Sequence, residues 1–402
     1  MIRPIDETEL EAFARAASTG FGSRFDAEQF ERQKAGIEVR RTLATFDGDV
    51  IVGTAEAMAT TMSVPGGADL GTNAVKGIAV LPTHRRRGIL TRLMERQLSD
   101  MAERGEPLAI LWATEAPIYG RFGYGMATYR LAVEIDKADT ALAVEPADKD
   151  LRIRLVEDFV HRRFISNGLY EDKRLVVPGM MRRKEAFWIR RRDDLMGDDA
   201  FFVVVEDGAG RLRAYATYRI DRSWGASGPE GHLSVADAIS LDSDAERALW
   251  QFLLNIDLVT KVSAWHRPVD DPLPYLLHNP RQLRRTLGEG LWLRIIDLPA
   301  ALSARSYMTE IDVTLNVTDS LLPANSGTWH LQGGPSGATC TPTAEEADLE
   351  LDTSTLASAF LGHPSLGSPA AAGLVVEHRA GALRQATAAF CWSPAPWAVT
   401  WF

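Results

Sequence analysis

Val80, Pro82, the run Arg85-Arg86-Arg87 and Gly88 stand directly before a segment in which Ile89, Leu90, Leu93, Met94, Leu98 and Met101 recur at helical spacing. The stretch reads as a strand ending at Pro82, a basic turn, and a helix. Such a junction holds anions. The first turn of a helix carries N–H groups without partners, and its dipole favours negative charge. Gly88 lacks the Cβ that would keep a phosphate away, and the arginines add charge at the rim. Two blander readings exist, a solvated basic face and a nucleic-acid patch. A formal net charge of -10 argues against nucleic acid as the main partner and suits cationic small molecules, although a modest acidic excess also simply keeps a protein soluble.

The complete string, Val80-x-Pro82-x-x-Arg85-x-x-Gly88-x-Leu90, resembles the pyrophosphate loop of the GNAT acetyltransferases. Leu90 replaces the small residue usual there. The resemblance implies acetyl transfer from a thioester to an amine. That chemistry needs a base for the ammonium, donors for a developing oxyanion, and a proton or hydrogen bond for the leaving thiolate. Ile118-Tyr119-Gly120-Arg121-Phe122-Gly123-Tyr124-Gly125 follows the apolar run Leu108–Ala113. A tyrosine there could reach the sulfur, and its phenol is still a donor at neutral pH. Alternatively, Tyr119 and Tyr124 merely plug the core, as tyrosines usually do. Tyr119 is better placed, because Tyr124 follows the turn.

With both motifs present, the chain resembles the Eis family within the GNATs. The resemblance implies Tyr119 as general acid. It implies acetyl-CoA contacts from Ile78, Ala79 and Val80, from Arg86, Arg87, Gly88, Ile89, Leu90 and Thr91, and from Thr114 and Glu115. It further implies aminoglycoside amines or protein lysines as acceptors, and a homohexamer.

The elements that must position these groups follow from the pattern. The fold class expected is α/β (α+β): tandem GNAT-like domains, one active and one degenerate, then a sterol-carrier-protein-like domain. The boundaries expected are 1–138, 139–290 and 291–402. In the first domain, helices over residues 6–17 and from Asp26 precede a hairpin turning at Asp47-Gly48, then the strand, loop, helix and strand. The order recurs in the middle domain, but Asp242-Ser243-Asp244-Ala245-Glu246 stands where the arginine–glycine loop would be. Acidic residues cap a helix and repel phosphate, so no CoA is expected there. Arg182-Arg183-Lys184 and Arg190-Arg191-Arg192 are read as a solvated basic face. In the last domain, helices are expected over 354–361 and 368–376. A lipid-carrier role, with a vestigial transferase site, is the alternative to assembly; a CoA-sensing scaffold is a third reading.

Trp397-Ala398-Val399-Thr400-Trp401-Phe402 is unusually apolar for a chain end. Burying its α-carboxylate costs several kcal/mol, of order, unless it is paired. One reading is a core strand whose end reaches solvent. The Eis resemblance implies the other, with the Phe402 carboxylate as general base; Trp401 stands where family members carry an acidic residue. Asp26 is a weaker candidate for holding the amine. Two cysteines, Cys340 and Cys391, build no disulfide framework, and no metal cluster is read from the sequence. No apolar signal region or membrane-length run is read, so a cytoplasmic protein with no membrane partner is expected.

Overall fold

The computed structural model describes residues 1–197 and 199–402. Three sheets organise it. The first holds β1 (Ile2–Pro4), β2 (Thr42–Asp47), β3 (Val50–Ser63), β4 (Asp69–Val80), β5 (Leu108–Trp112) and β6 (Gly125–Met126), with strand Leu291–Ile295 inserted between β5 and β6. The second runs in the order Arg284–Glu289, β7 (Tyr129–Asp136), Val259–Arg267, Gly231–Ser240, Leu212–Asp221, Phe201–Glu206, Arg152–Leu155. The two folds therefore exchange strands. The first recruits residues 291–295 from beyond the second, and β7, which follows β6 directly, joins the second sheet. A five-stranded sheet built on Ile311–Thr318 forms the third unit.

Helix α1 (Leu10–Gly20) turns Phe13 inward, and α2 (Ala27–Gln33) follows. Helix α3 (Ile89–Glu103) buries Ile89, Leu93, Met94, Leu98 and Met101, the stripe its spacing predicts. Parallel strands β4 and β5 pair only over Thr72–Ala74 with Leu108–Ile110, then diverge. Beyond that point both expose backbone N–H and C=O groups able to pair with an extended ligand. The second fold repeats the split. Gly231–Val235 pairs with Val259–Ala264, and the strands then separate.

Several expectations need correction. The basic clusters around Phe187-Trp188 are not simply solvated. Arg183 is buried on Asp237, and Arg190 reaches Glu56 of the first domain; the side chain of Arg192 lies outside those described. The helix expected over 368–376 ends at Ala371, where Gly373 at φ 80° breaks it, and Val375–Glu377 joins the third sheet. A further helix, Ala382–Phe390, went unread; Ala382, Ala386, Ala389 and Phe390 pack its inner face. Its small alanines make a weak hydrophobic signal. Among the described residues no helix is long and apolar enough to cross a membrane, and no group of three potential metal ligands occurs.

Candidate active site

The basic loop takes an unusual backbone path. Leu81 leads into a 3-10 turn, Pro82–His84, and Arg85 anchors it by donating from its NH2 group to the Gly20 carbonyl at 2.8 Å. Arg86 then adopts φ 63°, and Gly88, at φ 72°, caps α3. A non-glycine residue in the left-handed region is uncommon and marks a constrained site. Left-handed residues interspersed in a turn aim successive N–H groups into one concavity, which suits an anion. Arg86, Arg87 and Gly88 are exposed, Leu90 and Thr91 half-buried. No side chain caps α3, so its first N–H groups have no side-chain acceptor. The second fold differs at this point. Asp242 accepts from the N–H groups of Asp244 and Ala245 at 3.1 and 3.0 Å, so the protein itself satisfies that helix start.

Between β4 and β5 lies a cavity of about 180 Å³ lined by Ile78, Leu111, Trp112, Thr114, Tyr119, Trp401 and Phe402, among others. Two 3-10 turns, Ala116–Ile118 and Gly120–Phe122, hold Tyr119 between them, and its ring meets Tyr124 edge-on at 6.0 Å. Burial, reinforced by the charge of Glu115, pushes the Tyr119 phenol up to about 12. Tyr124 is fully buried, and its hydroxyl has no hydrogen-bond partner among the described residues. A bulge shapes the opposite wall. Thr54 faces Ala79 and Glu56 faces Lys76, so Ala55 alone opposes Gly77 and Ile78, with Gly77 at φ 60°. The extra residue of such a bulge leaves the ladder and frees backbone donors. Gly77 and Ile78 line the same cavity as Tyr119 and Phe402.

A second cavity, of about 410 Å³, opens beneath α1 and α2 and shares Phe21, Lys76, Gly77 and Phe402 with the first. Phe13, Phe21, Phe25, Phe30 and Ile37 make much of its wall. Asp26 lines it too, but one of its oxygens already caps α2 by accepting from Gln29 N at 3.0 Å. At its floor Glu56 takes both Lys76 Nζ, at 3.1 Å, and Arg190 NH2, at 2.9 Å. Burial, helped by Arg190, pulls the Lys76 amine below its ordinary value. Sequence reasoning missed Glu56, Lys76 and Arg190, which come from three separated elements.

The chain end joins the two folds. Ala395 N donates to Asp270 at 2.8 Å, and Trp397 Nε1 donates to the His266 carbonyl at 2.9 Å, both at the split of the second sheet. The tail then crosses to the first sheet. Trp112 Nε1 donates to the Thr400 carbonyl at 3.2 Å, and Trp401 stacks on Trp112 at 4.8 Å. Phe402 arrives where the two cavities meet. His266 touches Trp112 and Trp401, and burial, with Arg130 nearby, lowers it to about 4. The ring there is neutral at physiological pH.

A cleft between diverging parallel strands, an anion loop at the next helix and an enclosed tyrosine agree with the comparisons. The chain matches an acetyltransferase (GNAT) domain family over residues 1–127, another over 179–295, and a sterol carrier protein domain over 298–399. It is 34% identical to N-acetyltransferase Eis of Mycobacterium tuberculosis over 378 residues, covering 87% of this chain and 88% of that one. The chain belongs to the Eis N-acetyltransferases of the GNAT superfamily. An uncharacterized N-acetyltransferase of Streptomyces avermitilis is 38% identical over 94% of this chain and 93% of its own. The crystal structure of Eis1 from Mycobacterium abscessus superposes with a TM-score of 0.88 at 32% identity, both chains covered in full. The protein is thus an acyltransferase with two GNAT folds and a sterol-carrier-like third domain.

Proposed function

We propose that this Eis-family protein moves the acetyl group of acetyl-CoA to an amine seated in the larger cavity, with the Phe402 carboxylate as base and Tyr119 as acid. The observation that carries the reading is the meeting of the two cavities at Phe402. One cavity reaches Tyr119, and the other is large enough for an acceptor. Acetyl-CoA supplies the activated acyl group. Arg86, Arg87, Gly88, Ile89, Leu90 and Thr91 cradle its pyrophosphate, the freed edge of β4 at Ile78, Ala79 and Val80 pairs with its pantetheine, and Thr114 and Glu115 border the other side. The exposed left-handed loop and the split strands fit that group.

Phe402 draws the acceptor ammonium in and takes its proton, directly or through water. A carboxylate is a weak base for an amine, so desolvation in the aromatic cavity does part of the task. Backbone N–H groups at the Gly77 bulge hold the carbonyl oxygen as negative charge develops. Tyr119 donates to the departing sulfur. Aminoglycosides and lysine side chains are the acceptors the family resemblance supplies. A homohexamer in the reducing cytoplasm is the matching assembly and location, and light scattering of the purified protein checks the hexamer.

The test follows free thiol with acetyl-CoA and a panel of amines. Wild type should release thiol only when an amine is present. One glycine added after Phe402 displaces the carboxylate by about 3.3–3.6 Å and should lower kcat/KM about tenfold or more. Full activity in the extended chain would remove Phe402 from the mechanism. Gly88→Ala forces a side chain into the left-handed region, a strain of about 1–2 kcal/mol. It is expected to raise KM for acetyl-CoA about fivefold or more, with kcat unchanged; an unchanged KM would detach the loop from CoA binding.

A further inference from the structure

We infer that the acceptor is a zwitterion: a single amine on an apolar or aromatic body that also carries a carboxylate, which the Lys76–Glu56–Arg190 cluster recognises. The inference rests on the acetyltransferase reading and replaces the polycationic acceptor of that reading with a zwitterionic one.

The chain as a whole is acidic, but the acceptor cavity is not. Arg24, Lys76 and Arg190 line it against Asp26 and Glu56, so its side chains carry one surplus positive charge, which the Phe402 carboxylate balances. A polycation entering there would bring several charges that this net-neutral lining does not offset, and desolvating them is costly. Trp401, beside Phe402, lines the smaller cavity and brings no charge to the junction.

The surplus has a definite place. Lys76 and Arg190 share one carboxylate, Glu56, and each has that single ion pair among the described residues. The Lys76 side chain is 7% exposed; among the described residues its Nζ has no partner beyond the Glu56 ion pair, and Arg190 Nε has no hydrogen-bond acceptor. Two cations on one carboxylate form a site for a second carboxylate, and a guanidinium is suited to holding one. Phe402 at the junction of the cavities takes the ammonium, the cluster takes the acid group, and the phenylalanine walls take the body. Arg190 belongs to the second GNAT fold, so that fold contributes specificity to the first.

The experiment measures thiol release with phenylalanine, phenylalanine amide, 2-phenylethylamine and kanamycin as acceptors. Phenylalanine should exceed the amide and kanamycin about tenfold or more in kcat/KM. Arg190→Gln should bring the acid-to-amide ratio close to one, and Arg190→Lys should restore part of it. Unfolding midpoints of both variants separate a lost preference from a lost fold. An acid-to-amide ratio near one in wild type, or kanamycin as the best acceptor, overturns the zwitterion assignment and leaves the transferase reading standing. No thiol release with any of the four, nor with lysine peptides, overturns both.

Discussion

Tyr119→Phe is expected to lower kcat about 10²–10³-fold while leaving the affinity for acetyl-CoA within about threefold. The phenol lines the smaller cavity, where a departing sulfur would lie, and it is 6% exposed. A phenol pushed up to about 12 stays protonated throughout the working range. In the proposed mechanism it would act as a hydrogen-bond donor that hands over its proton only as negative charge builds on sulfur. The sign for pH follows. A raised acid pKa preserves the active, protonated form as pH rises, so the rate should show no descending limb from Tyr119 below about pH 10. Tyr124→Phe is the matched control. Its hydroxyl is buried without a partner among the described residues, so removing it relieves an unsatisfied group and should leave stability unchanged or raised, with kcat within about threefold. Single-turnover thiol release on both variants decides the matter. Equal rates for wild type and Tyr119→Phe would assign the proton elsewhere.

What could be read beforehand depended on how local each signal was. The loop from Val80 to Leu90 and the tyrosine motif are contiguous, and their glycines and proline carry fixed backbone meanings, so motif and geometry coincide. The two-fold repetition of GNAT elements was legible for the same reason: hairpin, helix and apolar strand recur in order. The exchange of β7 and strand Leu291–Ile295 was not, because both are ordinary apolar strands and only pairing reveals which sheet each joins. The larger cavity was the least legible part. Glu56 and Lys76 face each other across a bulged pair of strands, and Arg190 arrives from a helix more than a hundred residues later. Read along the chain, Arg183 and Arg190 are simply two members of a basic run. Only the fold shows that one is sealed in the interior and the other points into a neighbouring domain. The tail was readable as buried from its aromatics alone, but not that it would touch both folds on its way.

Asp237→Ala should destabilise the protein by about 3–5 kcal/mol, among the largest effects of any single substitution here. Arg183 NH1 lies 2.7 Å from Asp237 Oδ2, NH2 lies 3.2 Å from Oδ1, and Tyr215 donates to the same carboxylate at 2.7 Å. The side chains of Arg183 and Asp237 are 1% and 2% exposed. Deleting the acid strands a guanidinium that water cannot reach, against the face of Tyr170 at 3.8 Å. Differential scanning calorimetry should show a fall in midpoint of about 4–6 °C. The double variant Arg183→Met with Asp237→Leu removes both charges and should recover most of the loss, because a buried pair is worth little against apolar packing once neither partner is left alone. Its activity should not recover in step. Arg183 Nε and Tyr170 both hold the Thr400 hydroxyl, at 3.3 and 2.8 Å, two residues before Phe402. A stable double variant with a reduced kcat would show that this cluster positions the tail as well as supporting the fold. Full recovery of both would confine it to stability.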